Sequence, residues 1–165
     1  MNNLITSILG HEFWLRLEYL PLAEWIGASW MFPLLNSLHV VSAALMLGAL
    51  LMLDLRVAGL AATVYPLENL RRDCLPWIWG GFVVAVLSGA GMFVTRASVH
   101  ILNAAFQWKV ALMALAWLNM WLLQRGLGRL SADAELPMRL RMTGLASLLL
   151  WAGVMLAGRW MGHIL

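Results

Sequence analysis

Residues 31–60 read MFPLLNSLHVVSAALMLGALLMLDLRVAGL. The stretch has one histidine, His39, near its start and two charges, Asp54 and Arg56, near its finish; nothing between His39 and Asp54 ionises. A bilayer core needs roughly 20 mostly apolar residues to be crossed as a helix, and this segment has that length. Its leucines, alanines, valines and methionines run on without alternation, so it does not read as a strand of a membrane barrel.

Working outward, the same texture recurs, and the expected spans are about 34–55, 76–95, 106–124 and 142–162. Of the 165 residues, 62% are hydrophobic and 12% charged, with a mean hydropathy of +0.81. Such a composition does not wrap into a water-soluble sphere. The expected fold is an all-α membrane protein, an up-and-down four-helix transmembrane bundle over residues 31–165. Residues 1–30 mix Leu, Ile and Trp with Glu, Arg and His, and read as one or two amphipathic helices lying along the interface, broken near Pro21. Trp14, Trp25 and Trp30 belong at that level. Met1 to Gly10 has neither Lys nor Arg, which predicts an N-terminus retained rather than cleaved. The single cysteine, Cys74, excludes an internal disulfide.

Basic residues set the expected orientation. Arg56, Arg71 and Arg72 follow the first span, and Arg125, Arg129, Arg139 and Arg141 follow the third. This side is expected to be cytoplasmic, which puts both termini in the periplasm of a bacterial inner membrane. The net charge of +3 records the same bias, and with no basic domain outside the bundle no nucleic-acid partner is expected. Asp54 and Arg56 read as the cytoplasmic fastening of the first span, pairing with each other's helix neighbours, capping its end or bridging to Arg139 and Arg141.

Counting through the bundle puts all four histidines on the opposite, periplasmic side: His11 in the interfacial segment, His39 early in span one, His100 between spans two and three, and His163 at the tail. Lys109 and Arg159 reach the same layer. His39 is the sharpest signal, because an ionisable group within a span is costly and usually faces the bundle interior or a watery cavity. It reads as an interior histidine bonded to a neighbouring helix, a cofactor or metal ligand, or a proton relay. Lys109 either snorkels to the interface or turns inward to meet an anionic group. Asn119, deep in span three, reads as an interhelical hydrogen-bond donor. Phosphate loops, C-x-x-C, H-x-x-x-H and G-x-S-x-G are all absent.

The runs SLHVVSAALMLGALLMLDLRVAGL (37–60), NAAFQWKVALMALAWLN (103–119) and SLLLWAGVMLAGRWMGHI (147–164) resemble the signature segments of an uncharacterised family of small bacterial inner-membrane proteins. More distantly, the chain is similar to HemJ-type protoporphyrinogen oxidases and copper-resistance D-type membrane proteins. In the HemJ type an early histidine and a later lysine are associated with haem b, and His39 and Lys109 occupy comparable positions. The resemblance implies haem b or a related redox cofactor near the periplasmic face. His39 would be the metal ligand, with Lys109, His100, His163 and Arg159 as further cofactor contacts. Quinol or a periplasmic redox protein would then be a partner beside the lipid bilayer. The alternative is a cofactor-free scaffold or accessory subunit, as a homo-oligomer or part of a larger membrane complex.

Overall fold

The computed structural model describes residues 10–129 and 135–162. Among them are seven helices and no strand: α1 (His11–Glu18), α2 (Pro21–Ala28), α3 (Met31–Ala58), α4 (Leu67–Val94), α5 (Ala97–Leu102), α6 (Ala104–Leu127) and α7 (Met138–Trp160). The four long ones, α3, α4, α6 and α7, are each long and apolar enough to cross a membrane. At most 28% of each apolar window is buried inside the bundle, so most of their apolar surface faces outward, as suits contact with a lipid bilayer.

The first and third spans outrun the sequence expectation at both ends, the second and fourth at their starts. The second begins at Leu67 rather than near 76, so much of what reads as a cytoplasmic loop is a helical extension. Hydropathy marks only the lipid-immersed part of a helix, whereas the hydrogen-bond ladder continues through polar turns such as Glu68-Asn69-Leu70-Arg71-Arg72. Pro66 precedes the helix and sets its start. At the other extreme α3 ends on Gly59, whose φ of 78° is left-handed. The Leu60 N–H closes back on the Leu55 carbonyl at 2.9 Å, a glycine-dependent stop.

Short connections make α3 and α4 one antiparallel pair and α6 and α7 another. The pairs meet chiefly where α3 runs against α7, while α4 and α6 hardly touch along their backbones. The α3/α4 approach is set by Gly81: a Cβ there would lie 2.8 Å from the Ser42 carbonyl oxygen and 2.9 Å from Met46 Cβ. Gly144 does the same for α3 and α7, at 3.1 Å from the Asp54 carbonyl oxygen. Small residues thus let backbones approach where no hydrophobic force drives helices together. Met46, Leu50, Leu53, Val57, Ile78, Met120, Leu123 and Trp151 fill the buried core. Polar links add to it: Asn119 Nδ2 donates to the Thr143 carbonyl at 3.0 Å, joining α6 to α7 as its position in the sequence suggests. Arg71 joins α4 to α6 by donating from Nε to Gln124 Oε1 at 2.8 Å.

The N-terminal helices are tied to one end of the bundle. They break at Tyr19 and Leu20, just before Pro21. Trp14 is half-buried rather than set in an outer belt, and packs edge-on against Phe93 with ring centroids 5.9 Å apart. Trp25 and Trp30 stay exposed.

Candidate functional site

His39 stands on the third turn of α3 and turns toward α4. Its Nδ1 lies 2.7 Å from the Ala85 carbonyl oxygen. A carbonyl only accepts, so Nδ1 carries the hydrogen and donates it. In the neutral ring this leaves the Nε2 lone pair available, and among the described residues Nε2 has no hydrogen-bond partner. Ser88 Oγ is 3.4 Å from Nδ1 but gives its own hydrogen within the helix, to Val84 O at 2.6 Å. Room for the ring comes from Gly89, where a Cβ would sit 3.1 Å from His39 Cε1. Local sequence explains the face: His39, Ser42 and Met46 stand at i, i+3 and i+7 and line the side of α3 that meets Gly81, Ala85 and Gly89 on α4.

Lys109, on the second turn of α6, lays its stem across Gly158 of α7, with Nζ 3.6 Å from where a Cβ would be. It runs inward along the neighbouring helix and has no carboxylate partner among the described residues. On α4 His39 lies against Gly89, one turn before Phe93, and on α6 Lys109 lies one turn after Phe106, the two rings that stack on His100. Three of the expected residues therefore share one layer. Arg159 follows Gly158 at the end of α7 and is exposed. His163 lies outside the described residues, as do residues 1–9.

His100 is half-buried in α5 and stacked in an aromatic group. Its ring lies 6.3 Å from Phe93 and 6.2 Å from Phe106, and those two phenyls stack at 5.1 Å. Nδ1 is buried with no hydrogen-bond partner. Burial holds the imidazole below its ordinary value of 6.5, Arg96 pushes the same way, Glu18 opposes, and Lys109 adds a further downward push. Two residues that sequence reading passed over build this wall. Glu18 Oε1 accepts from the Ser98 N–H at 2.6 Å, fastening α1 to the start of α5. Asn103 caps α6, accepting from Ala105 N at 2.9 Å and Phe106 N at 3.3 Å, while its Nδ2 donates to the Met161 carbonyl at 3.5 Å. An asparagine before Ala-Ala-Phe-Gln is a readable cap signal; the Glu18 contact spans 80 residues and leaves no local trace.

Asp54 departs from its expected role. The Asp54-Leu55-Arg56 segment forms no clasp: Arg56 Nε donates to the Tyr65 carbonyl at 2.9 Å. Among the described residues the one ion pair is Arg71 with Glu68. Asp54 is 1% exposed, neither carboxyl oxygen has a hydrogen-bond partner, and the same holds for the buried Ser147 Oγ and Trp151 Nε1 on the facing side of α7. The physical reason is rotation: Asp54 falls on the stripe of Met46, Leu50, Leu53 and Val57, which faces the core, while Arg56 falls outside it. Asp54 lies near the end of α3, away from the centre of the span where a charge is costliest, but a buried carboxyl without a partner still has to meet its charge.

Among the described residues no group of three or more His, Cys, Asp or Glu could hold a metal ion. A family model described as a family of unknown function (DUF6644) matches residues 24–164, and the chain belongs to that family. No curated protein and no solved structure matches it. The more distant likeness to HemJ-type oxidases and copper-resistance D-type proteins gains no support from these comparisons.

Proposed function

We propose that this multi-pass membrane protein holds haem b, or a related metal macrocycle, at the layer of His39. The observation that carries the reading is the hydrogen bond from His39 Nδ1 to the Ala85 carbonyl. Ligating histidines characteristically donate their other ring N–H to a carbonyl or carboxylate, which fixes the tautomer and makes the ligating nitrogen more basic. A porphyrin brings four of iron's ligands with it, so one imidazole suffices where a cluster of protein ligands is lacking. When bound, the group supplies a one-electron couple.

The chain's own residues have separable parts in this reading. His39 would hold the metal through Nε2, the ring nitrogen left free by the bond to Ala85. Lys109 and Arg159, both cationic and at one level of α6 and α7, balance the anionic edge of the macrocycle. The Phe93, His100 and Phe106 stack, closed by α1, keeps water from that layer. The seven arginines gathered at the Asp54 end support a placement in a bacterial inner membrane with both termini periplasmic. Quinol or a periplasmic protein would then be the electron partner.

Absorption of the purified chain in mild detergent tests the reading. A Soret band is expected in the wild type and is lost in His39→Ala, while the helix content of that variant is unchanged. A colourless wild type, or a His39→Ala protein with an unaltered band, overturns it. One second reading has its own support: His39 to Ala85 and Asn119 to Thr143 both join helix to helix, as a cofactor-free scaffold or accessory subunit requires. That reading predicts a colourless protein whose His39→Ala variant loses assembly alone.

A further inference from the structure

At the other end of the bundle, a groove of about 180 Å³ opens between α3 and α7, lined by Leu47, Leu50, Leu51, Asp54, Trp151 and Met155 among others. Its rim is apolar and open: Leu51 is 49% exposed and Met155 51%, so a molecule dissolved in the bilayer enters sideways. Its floor carries one acidic group, the carboxyl of Asp54, sealed from water and without a hydrogen-bond partner.

The neighbouring charges are engaged elsewhere or turned outward. On α3, Arg56 donates to Tyr65. On α4, Arg71 is paired with Glu68 and bonded to Gln124, and Cys74 sits in the apolar core. On α6, Arg125 stacks over Trp121 at 3.6 Å. On α7, Arg139 and Arg141 are exposed, with Arg141 against Gly59. No basic side chain among the described residues forms an ion pair with Asp54. A carboxyl so placed has two ways to meet its charge, a proton or a cation from outside the chain.

We infer that the α3/α7 groove binds a lipophilic cation, an ammonium carrying aromatic or alkyl groups, with Asp54 as its counter-ion and a proton as its competitor. The leucines and Met155 take the apolar part. The indole of Trp151 lines the same groove, where an aromatic ring attracts a positive charge. Ser147 on α7 is the hydroxyl next to that carboxyl, and its hydrogen, engaged in no well-formed bond, can hold the ionised form. Binding is thus exchange: the cation enters as the proton leaves, and no covalent bond is made beyond the loss of that O–H.

Calorimetric titration of the full chain in neutral detergent with benzyltrimethylammonium tests this. The probe is a permanent cation, so any pH dependence belongs to the protein. Affinity should rise with pH. Repeating the titration in buffers of different ionisation enthalpy should count up to one proton released per cation at the acid end. Asp54→Asn, nearly isosteric, should weaken binding by roughly tenfold or more and abolish the pH dependence. Ala152→Leu, which narrows the groove from its exposed rim without touching the carboxyl, should weaken binding too and serves if the asparagine variant does not fold. Binding of the probe should leave the absorption spectrum unchanged and should not depend on whether a Soret band is present, which separates this site from the haem reading. Absence of binding by the wild type at every pH, equal affinity in Asp54→Asn, or equal affinity in Ala152→Leu overturns the inference.

Discussion

At one end of the bundle His39 gives its hydrogen to a carbonyl on the next helix, and the layer around it is closed by α1, α5, a stacked aromatic group and the cap of Asn103. At the other end Asp54 is more deeply buried, yet its carboxyl, Ser147 and Trp151 have no partners and an open groove lies beside them. Both side chains are ionisable groups within a span, and both sit where α3 meets another helix across glycine: Gly81 and Gly89 on α4, Gly144 on α7. Close packing therefore does not decide whether a polar group is satisfied. The His39 end has neighbouring elements to supply carbonyls and carboxylates, while at the Asp54 end the facing helix offers only an indole and a hydroxyl.

This contrast breaks down if the glycine contacts are not what hold the ends together. Gly81→Ala should destabilise the protein by about 1–3 kcal/mol, because its Cβ meets the Ser42 backbone oxygen and α3 cannot yield locally. Gly80→Ala has nothing within 4 Å and should be neutral, or stabilise by about 0.5–1 kcal/mol through helix propensity. Unfolding titrations in mixed detergent compare the two, and equal effects would remove Gly81 from its role.

The closed end should open when its outer fastening is cut. Glu18→Ala removes the acceptor for the Ser98 N–H and should loosen α1 from α5 by about 1–2 kcal/mol. Hydrogen exchange is expected to rise in residues 97–102 and in α1, with the spans protected as before. Exchange unchanged in α5 would show that the aromatic stack alone holds α1.

Acid should act in the same place, more gently. His100 is held below its ordinary value, so the folded form binds its proton less readily than the unfolded chain. The stability it contributes is fully present above pH about 6.5 and declines as the pH falls through the lowered folded value. Tryptophan fluorescence near Trp14 should report this loosening, and His100→Phe, which keeps the stack but cannot titrate, should lack it. Retention of the acid transition in His100→Phe would assign it to another group.

The smallest effect belongs to Asn119. Losing its bond to Thr143 in Asn119→Ala should cost about 0.6 kcal/mol and no more than about 2, measured by the same unfolding titration. A larger loss would make the α6/α7 pair more dependent on polar contact than the α3/α4 pair.

Much of this architecture can be read directly from the chain. Uninterrupted apolar runs reveal the spans because lipid selects each residue one at a time, and the helix break before Pro21 follows from that proline. The gathering of His39, His100 and Lys109 in one layer follows from simple up-and-down counting. Asp54 was harder, since its neighbour Arg56 suggests a pair by sequence distance alone. Residues two apart on a helix point about 200° apart, and the buried stripe through Leu50 and Val57 separates them. Contacts such as Glu18 with Ser98 depend on how the short helices fold back, which no local pattern encodes.

The bond between His39 and Ala85 has a mechanical consequence as well. The Ala85 carbonyl already accepts from the N–H of Gly89 one turn on, and Gly89 is the residue beneath the imidazole. One oxygen thus serves as a rung of α4 and as the peg for α3. A slide of one residue along the axis would move the ring about 1.5 Å past that oxygen and onto a position with a side chain. Like an index pin, the pair favours this alignment of α3 on α4 over its one-residue neighbours.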